Sequence, residues 1–289
     1  MANVLVVTDT VACLPKALAD EQGIRIVPAS QITYDGKTYI EGVNISAREA
    51  YDIMEKNPES FVTAAVTPGI LLGEFRTIAK DYNSILFITI SSALSAVSQA
   101  ATVVSDTFRK ELPNVEIQIV DSKTCAGAEG LIVLAAAKAA NKGMGLHLVA
   151  DVAVHVRGTT GGFIYFDTLR YTYHTGRMSK QAARVVSMLN IKQVSRMSDR
   201  GTMEPVAKVR TRADGINKIV ELIKKEAGTD TLHFMVSHAD APDTAQILVD
   251  QLQKEFKCLS MIVSDYSLGL GCSTGPGAMF VGFHPELIW

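Results

Sequence analysis

The sequence predicts an α/β protein of two domains, the first on a mainly parallel sheet and the second on a mixed one. Three observations carry this. Over about the first 150 residues, short β-branched runs alternate with helix-like segments in the rhythm of βαβ units. Beyond that point strands crowd closer together and the alternation changes. The length, 289 residues, is also more than a single hydrophobic core usually serves. The expected division is 1–160 and 161–289, with a ligand cleft between them.

Taken in order, Val4-Leu5-Val6-Val7 is a buried strand running into Thr8-Asp9-Thr10, and a helix starts near Leu14-Pro15. Residues 24–28 form the second strand. Residues 32–34 and 37–40 flank Asp35-Gly36, the dipeptide favoured in two-residue type I′ turns, so they form a hairpin. Ser46 with Glu49 three residues later is a capping box for a helix over 47–56. Thr67-Pro68-Gly69 opens a helix through Phe75, with Pro68 in its first turn. The apolar run 85–90 then breaks into Ser91-Ser92-Ala93-Leu94-Ser95, a buried strand delivering three hydroxyls to the start of a helix over about 95–110. Strand 115–120 ends at Asp121-Ser122. In open parallel sheets ligands bind outside the carboxyl ends of the strands, where these hydroxyls and carboxylates collect.

Helices follow over 130–140, with a stop at Lys142-Gly143, and over 146–157. The cluster Gly158-Thr159-Thr160-Gly161-Gly162 reads as loop and marks the domain boundary. In the second half, strands are expected at 162–166, 193–197, 204–209, 232–236, 260–263 and 278–283. Helices are expected near 179–188, 212–227 and 241–256.

Composition excludes several classes of function. Net charge is −2 and the 28 basic residues are spread along the chain, leaving no footprint for nucleic acid or an anionic membrane. Hydrophobic residues reach 47% against 20% charged, enough for a large core and an apolar pocket. Cys13, Cys125, Cys258 and Cys272 have neither CxxC spacing nor a disulfide pattern and suit a reducing compartment. With no leader-like amino terminus and no run of 18 apolar residues, the expectation is a cytoplasmic protein that is not integral to a membrane.

Asp9 follows a strand as in aspartate-dependent phosphotransfer, but position 11 is Val11, so the second acid is missing and capping the next turn is the better reading. The glycine-rich stretch 269–277 lies too near the carboxyl end for a dinucleotide fold and lacks Gly-Lys-Ser/Thr. A turn feeding the last strand and a ligand-facing loop both fit it. His233 and His238 fall on opposite faces of one strand, and the remaining histidines lack partners at ligand spacing. No metal site or Gly-x-Ser-x-Gly elbow is apparent. Arg177, in His174-Thr175-Gly176-Arg177-Met178-Ser179, can fix a carboxylate or phosphate through paired donors or form a domain salt bridge.

Together these elements resemble the DegV family of bacterial fatty-acid-binding proteins. The resemblance is carried by Thr8-Asp9-Thr10 with Leu14-Pro15, Tyr39-Ile40-Glu41-Gly42, Thr63 to Gly69, Ile90 to Ser95, and Asp121-Ser122. The second of these motifs extends on through Val43-Asn44-Ile45-Ser46, and the resemblance continues through Asp167-Thr168-Leu169, Gly176 to Ser179, Leu189 to Lys192, Lys208 to Thr211 and Gly275-Pro276-Gly277-Ala278. It implies an N-terminal three-layer α/β/α domain, a C-terminal α/β domain and a long-chain fatty acid buried between them. It further implies a non-catalytic carrier without cofactor or metal that presents the carboxylate to the catalytic component of fatty acid kinase. By position, the carboxylate meets Thr63 and Ser95, with Ser92 nearby, Arg177 close to the carboxyl end, and Ser273 and Thr274 at the glycine-rich stretch. The chain departs from the family pattern at Ala64, at Ala96, where the family has glycine, and at Ser273, where it tends to have histidine. The competing reading is an enzyme acting on a small phosphorylated or carboxylated substrate through Asp9, Asp121 and Arg177.

Overall fold

The computed structural model describes residues 4–40, 44–56, 61–176 and 191–286. The first half runs β1 (Val4–Asp9), α1 (Lys16–Glu21), β2 (Ile24–Val27), β3 (Ser30–Tyr34), β4 (Lys37–Ile40), α2 (Ala47–Lys56) and β5 (Val62–Ala65). It continues through α3 (Pro68–Ile78), β6 (Ser84–Thr89), α4 (Val97–Glu111), β7 (Glu116–Asp121), α5 (Ala126–Asn141) and α6 (Leu146–Thr159). The second half runs β8 (Gly161–Phe166), α7 (Arg170–His174), β9 (Lys192–Met197), β10 (Met203–Val209), α8 (Arg212–Ala227) and β11 (Thr231–His238). It ends with α9 (Pro242–Glu255), β12 (Lys257–Asp265), α10 (Leu268–Thr274) and β13 (Met279–Pro285).

The α/β class holds. A parallel sheet of order β2-β1-β6-β7 carries the first half, and a six-stranded sheet of order β10-β9-β8-β13-β11-β12 carries the second. The latter is mixed, because β11 and β12 run parallel while its other pairs are antiparallel. Strand β6 is buried along both faces. On one face α3 and α4 cover it, with Phe87 meeting Phe75 and Phe75 meeting Phe108; α5 and α6 cover the other.

Helix α5 also packs against β11 and β13, so it lies between the two sheets, while α8 and α9 cover the far face of the mixed sheet. Its sequence, AGAEGLIVLAAAKAAN, explains that position. A helix that is apolar nearly all round belongs inside, and its small residues let backbone approach backbone. A Cβ added at Gly127 would fall 2.3 Å from the Met235 carbonyl oxygen, and one at Gly282 would fall 2.3 Å from the Ala128 nitrogen.

Local signals place many of the elements. Asp35 and Gly36 both have positive φ between β3 and β4, as a type I′ turn requires. The Ser46 and Glu49 capping box forms, and Thr67 caps α3 with Pro68 at its start. Among the described residues, no helix is long and apolar enough to cross a membrane.

Four expectations change. Residues 158–162 are not a loop: α6 runs to Thr159 and β8 begins at Gly161. Gly161 and Gly162 serve aromatic packing, since added Cβ atoms would lie 2.2 Å from the Phe283 ring and 2.5 Å from that of Phe280. Helix α4 begins at Val97 after a separate turn, so the serines precede it rather than cap it. The stretch 269–277 is mostly helix α10 rather than a simple turn. Strand β5, too short to show a clear alternation, joins β3 and β4 in a small antiparallel sheet. The helix expected at 179–188 lies outside the described residues.

Candidate functional site

A cavity of about 50 Å³ opens where the small sheet and α10 meet the carboxyl end of β6. That space has room for about four waters. Its apolar wall includes Val11, Ile90, Leu94, Ile164, Met203 and Leu270, drawn from both sheets and from α10. Its polar side chains are hydroxyls: Ser30, Thr63, Ser95, Ser273 and Thr274. Four of the six residues expected to hold a carboxylate thus come together. Ser92 stands outside the lining, and Arg177 lies outside the described residues.

The hydroxyls differ in what their hydrogens already do. The Thr63 Oγ1 is buried and has no hydrogen-bond partner among the described residues. An unsatisfied buried hydroxyl costs about 1–3 kcal/mol, which a ligand oxygen would recover. Ser273 Oγ donates to the Gly269 carbonyl and Thr274 Oγ1 to that of Leu270, each at 2.9 Å, so both are tied back into α10.

Ser95 is presented by a turn that is fixed from several sides. Ser91 N donates to the Thr124 carbonyl at 2.8 Å, and Ser95 N donates to the Ser91 carbonyl at 3.1 Å. The Ser91 hydroxyl donates to the Gly201 carbonyl at 2.8 Å, linking the turn to the β9–β10 connection. Ser92 donates from Oγ to Asp121 Oδ2 at 2.6 Å and from its backbone N–H to Oδ1 at 3.2 Å. It braces the turn instead of facing the cavity.

The acids of the enzyme reading are likewise engaged. Asp9 is buried and accepts the N–H groups of Val11 and Ile90, each at 2.9 Å, tying the end of β1 to that of β6. Capping, inferred for Asp9 from sequence, is its role here. Asp121 accepts from Ser92 and from Lys123 N. Neither acid lines the cavity. Cys125 does, but burial, with Glu129 and Asp9 nearby, pushes its thiol well above the ordinary cysteine value, so it stays protonated and a poor nucleophile.

Sequence reading gave Cys125 no part in the site and passed over Ser30 and Glu129. A glutamate inside the alanine-rich run of α5 was the visible signal for the last. Glu129 is wholly buried, accepts a long 3.4 Å bond from Thr8 Oγ1, and its Oε2 has no partner among the described residues. Burial, and then Asp9, raise its pKa well above 4.5, so it is held as the neutral acid.

The glycines of α10 allow close approach. A Cβ at Gly269 would fall 2.2 Å from Ser30 Oγ, and one at Gly271 would fall 2.1 Å from the Tyr51 hydroxyl oxygen. Away from the cavity, His233 and His284 are cross-strand partners whose rings stack at 4.8 Å, a pairing that spacing along the chain does not reveal.

A family model described as "Uncharacterised protein, DegV family" matches residues 3–286. A DegV domain-containing protein of Streptomyces coelicolor is 31% identical over 281 residues, covering 96% of this chain and 97% of its own. Among solved structures, a DegV family protein from Thermus thermophilus described for fatty acid binding superposes with a TM-score of 0.88 at 20% identity, over 98% of this chain and 100% of its own. The fatty acid kinase B3 protein of Streptococcus pneumoniae, loaded with linoleic acid, superposes with a TM-score of 0.86 at 17% identity, over 99% and 100%.

Proposed function

Since the chain belongs to the DegV family, we propose that it binds a long-chain fatty acid at this cavity and presents the carboxylate to a partner kinase without transforming the acid itself. The carrying observation is the buried, partnerless Thr63 hydroxyl in a largely apolar cavity that also holds Ser95. Two hydroxyl donors to an anionic oxygen contribute roughly 1.5–3 kcal/mol each, enough to favour an acid over an ester. The tail supplies the rest, at about 0.8 kcal/mol per buried methylene.

A cavity of about 50 Å³ admits a head group; a long tail requires the walls to part. Leu94, Met203 and Leu270 on those walls are unbranched at Cβ and can change rotamer, methionine most readily. Carrying is favoured over turnover because Asp9 and Asp121 already hold backbone groups and the Cys125 thiol is held protonated. The Thermus and Streptococcus proteins, similar in fold, are described with fatty acids, and the latter as part of a fatty acid kinase.

Native mass spectrometry with solvent extraction, on protein purified without added lipid, tests this reading. The expected result is a bound mass matching a fatty acid, with Ser95→Ala weakening acid binding about tenfold while leaving the fold intact. A protein that arrives empty and ignores added fatty acids overturns it.

A further inference from the structure

We infer that Ser30 is a further ligand-binding residue, and that Ser30 and Thr63 together clamp the two oxygens of the carboxylate. This rests on the lipid reading above. Strands β3 and β5 pair antiparallel, with Ser30 opposite Ala65 and Ile32 opposite Thr63. Cross-strand partners share a face, and so do residues two apart along a strand, so Ser30 and Thr63 stand diagonally on one face. Both line the cavity.

Diagonal neighbours of this kind have backbones about 7–8 Å apart, which leaves room for a small polar group between their side chains. A carboxylate spans such a gap. Both residues line the cavity from that face, so each hydroxyl can donate to one oxygen of a carboxylate held between them. Each hydroxyl then serves one oxygen, an arrangement that an ester or an alcohol cannot complete.

The hydrogens needed are available where the clamp requires them. Thr63 Oγ1 has no partner, and the Ser30 hydroxyl makes no hydrogen bond among the described residues. Ser273 and Thr274, by contrast, commit theirs to carbonyls of α10. Gly269 keeps space beside the Ser30 hydroxyl, since a Cβ there would intrude to 2.2 Å of Ser30 Oγ. A serine outside the positions implied by family resemblance thus supplies a donor from the small sheet, separate from the turn that carries Ser95.

Isothermal titration of the full chain with palmitate and with methyl palmitate tests the clamp, using Ser30→Ala and the near-isosteric Ser30→Cys, whose thiol is a weak donor. Both substitutions are expected to weaken palmitate binding about tenfold or more, with ester affinity changed by less than about twofold and melting unaltered. Unchanged palmitate affinity in both variants, or equal losses for acid and ester, overturns the clamp while the lipid reading stands. A wild-type protein that binds neither compound overturns both.

Discussion

At the scale of single residues, polar groups that are alike in sequence divide by what surrounds them. Asp9 and Glu129 are both wholly buried. Asp9 accepts two backbone N–H groups, whereas Glu129 accepts one long bond from Thr8. Burial and the nearby Asp9 therefore keep the proton on Glu129 in the folded protein. The unfolded chain releases that proton above about pH 4.5, so stability present below that pH declines by about 1.4 kcal/mol per unit as pH rises toward the raised value. Glu129→Gln keeps the shape and removes the titration. Thermal melts from pH 5 to 8 should show a flatter pH dependence, with the variant gaining roughly 3 °C or more at the alkaline end; parallel curves for the two proteins would refute this account. That a glutamate interrupts an apolar helix was legible in the sequence. Its protonation state was not, because that depends first on burial by the packed elements around α5 and then on a carboxylate 120 positions away in the chain.

At the scale of elements, capping and turn chemistry were legible because they depend on residues a few positions apart. The hairpin at Asp35-Gly36, the Ser46 and Glu49 box and the Thr67 cap all formed as local rules dictate. Glycines were harder to read. Those at 161 and 162 read as loop, but they make room for Phe283 and Phe280, and those of α10 make room for Ser30 and Tyr51. The close contact of α5 with β13 gives the sharpest expectation of this kind. Gly282→Ala places a methyl group 2.5 Å from the Ala128 Cα, against backbone that cannot rotate away. Denaturant unfolding should show a loss of about 2–4 kcal/mol or failure to fold, beyond the usual 1–3 kcal/mol cost of overpacking because the obstacle is main chain. A loss under about 0.5 kcal/mol, the ordinary surface value, would mean that the two elements are not in this contact.

At the scale of the whole molecule, the cavity belongs to no single sheet. Its walls come from the turn after β6, from β3 and β5, from α10 and from β8 and β10. Filling it with an acyl chain should stabilise all of these elements together. By mass action, ligand at 100 times its Kd contributes about 2.7 kcal/mol, so thermal melts should rise with added C16 acid and rise less with a C10 acid at the same concentration. Equal shifts for both lengths would place the tail outside the protein. By itself the sequence determined the α/β class, the parallel and mixed sheets, most element positions and the resemblance to a lipid-binding family, because periodicity, caps and ordered motifs are carried by neighbours along the chain. Only the tertiary structure decided that Ser92 braces the turn while Ser30 faces the cavity. It alone decided that Asp9 and Asp121 serve backbone groups and that His233 meets His284. A side chain's task follows from its neighbours in space, and here those neighbours are tens to hundreds of residues away.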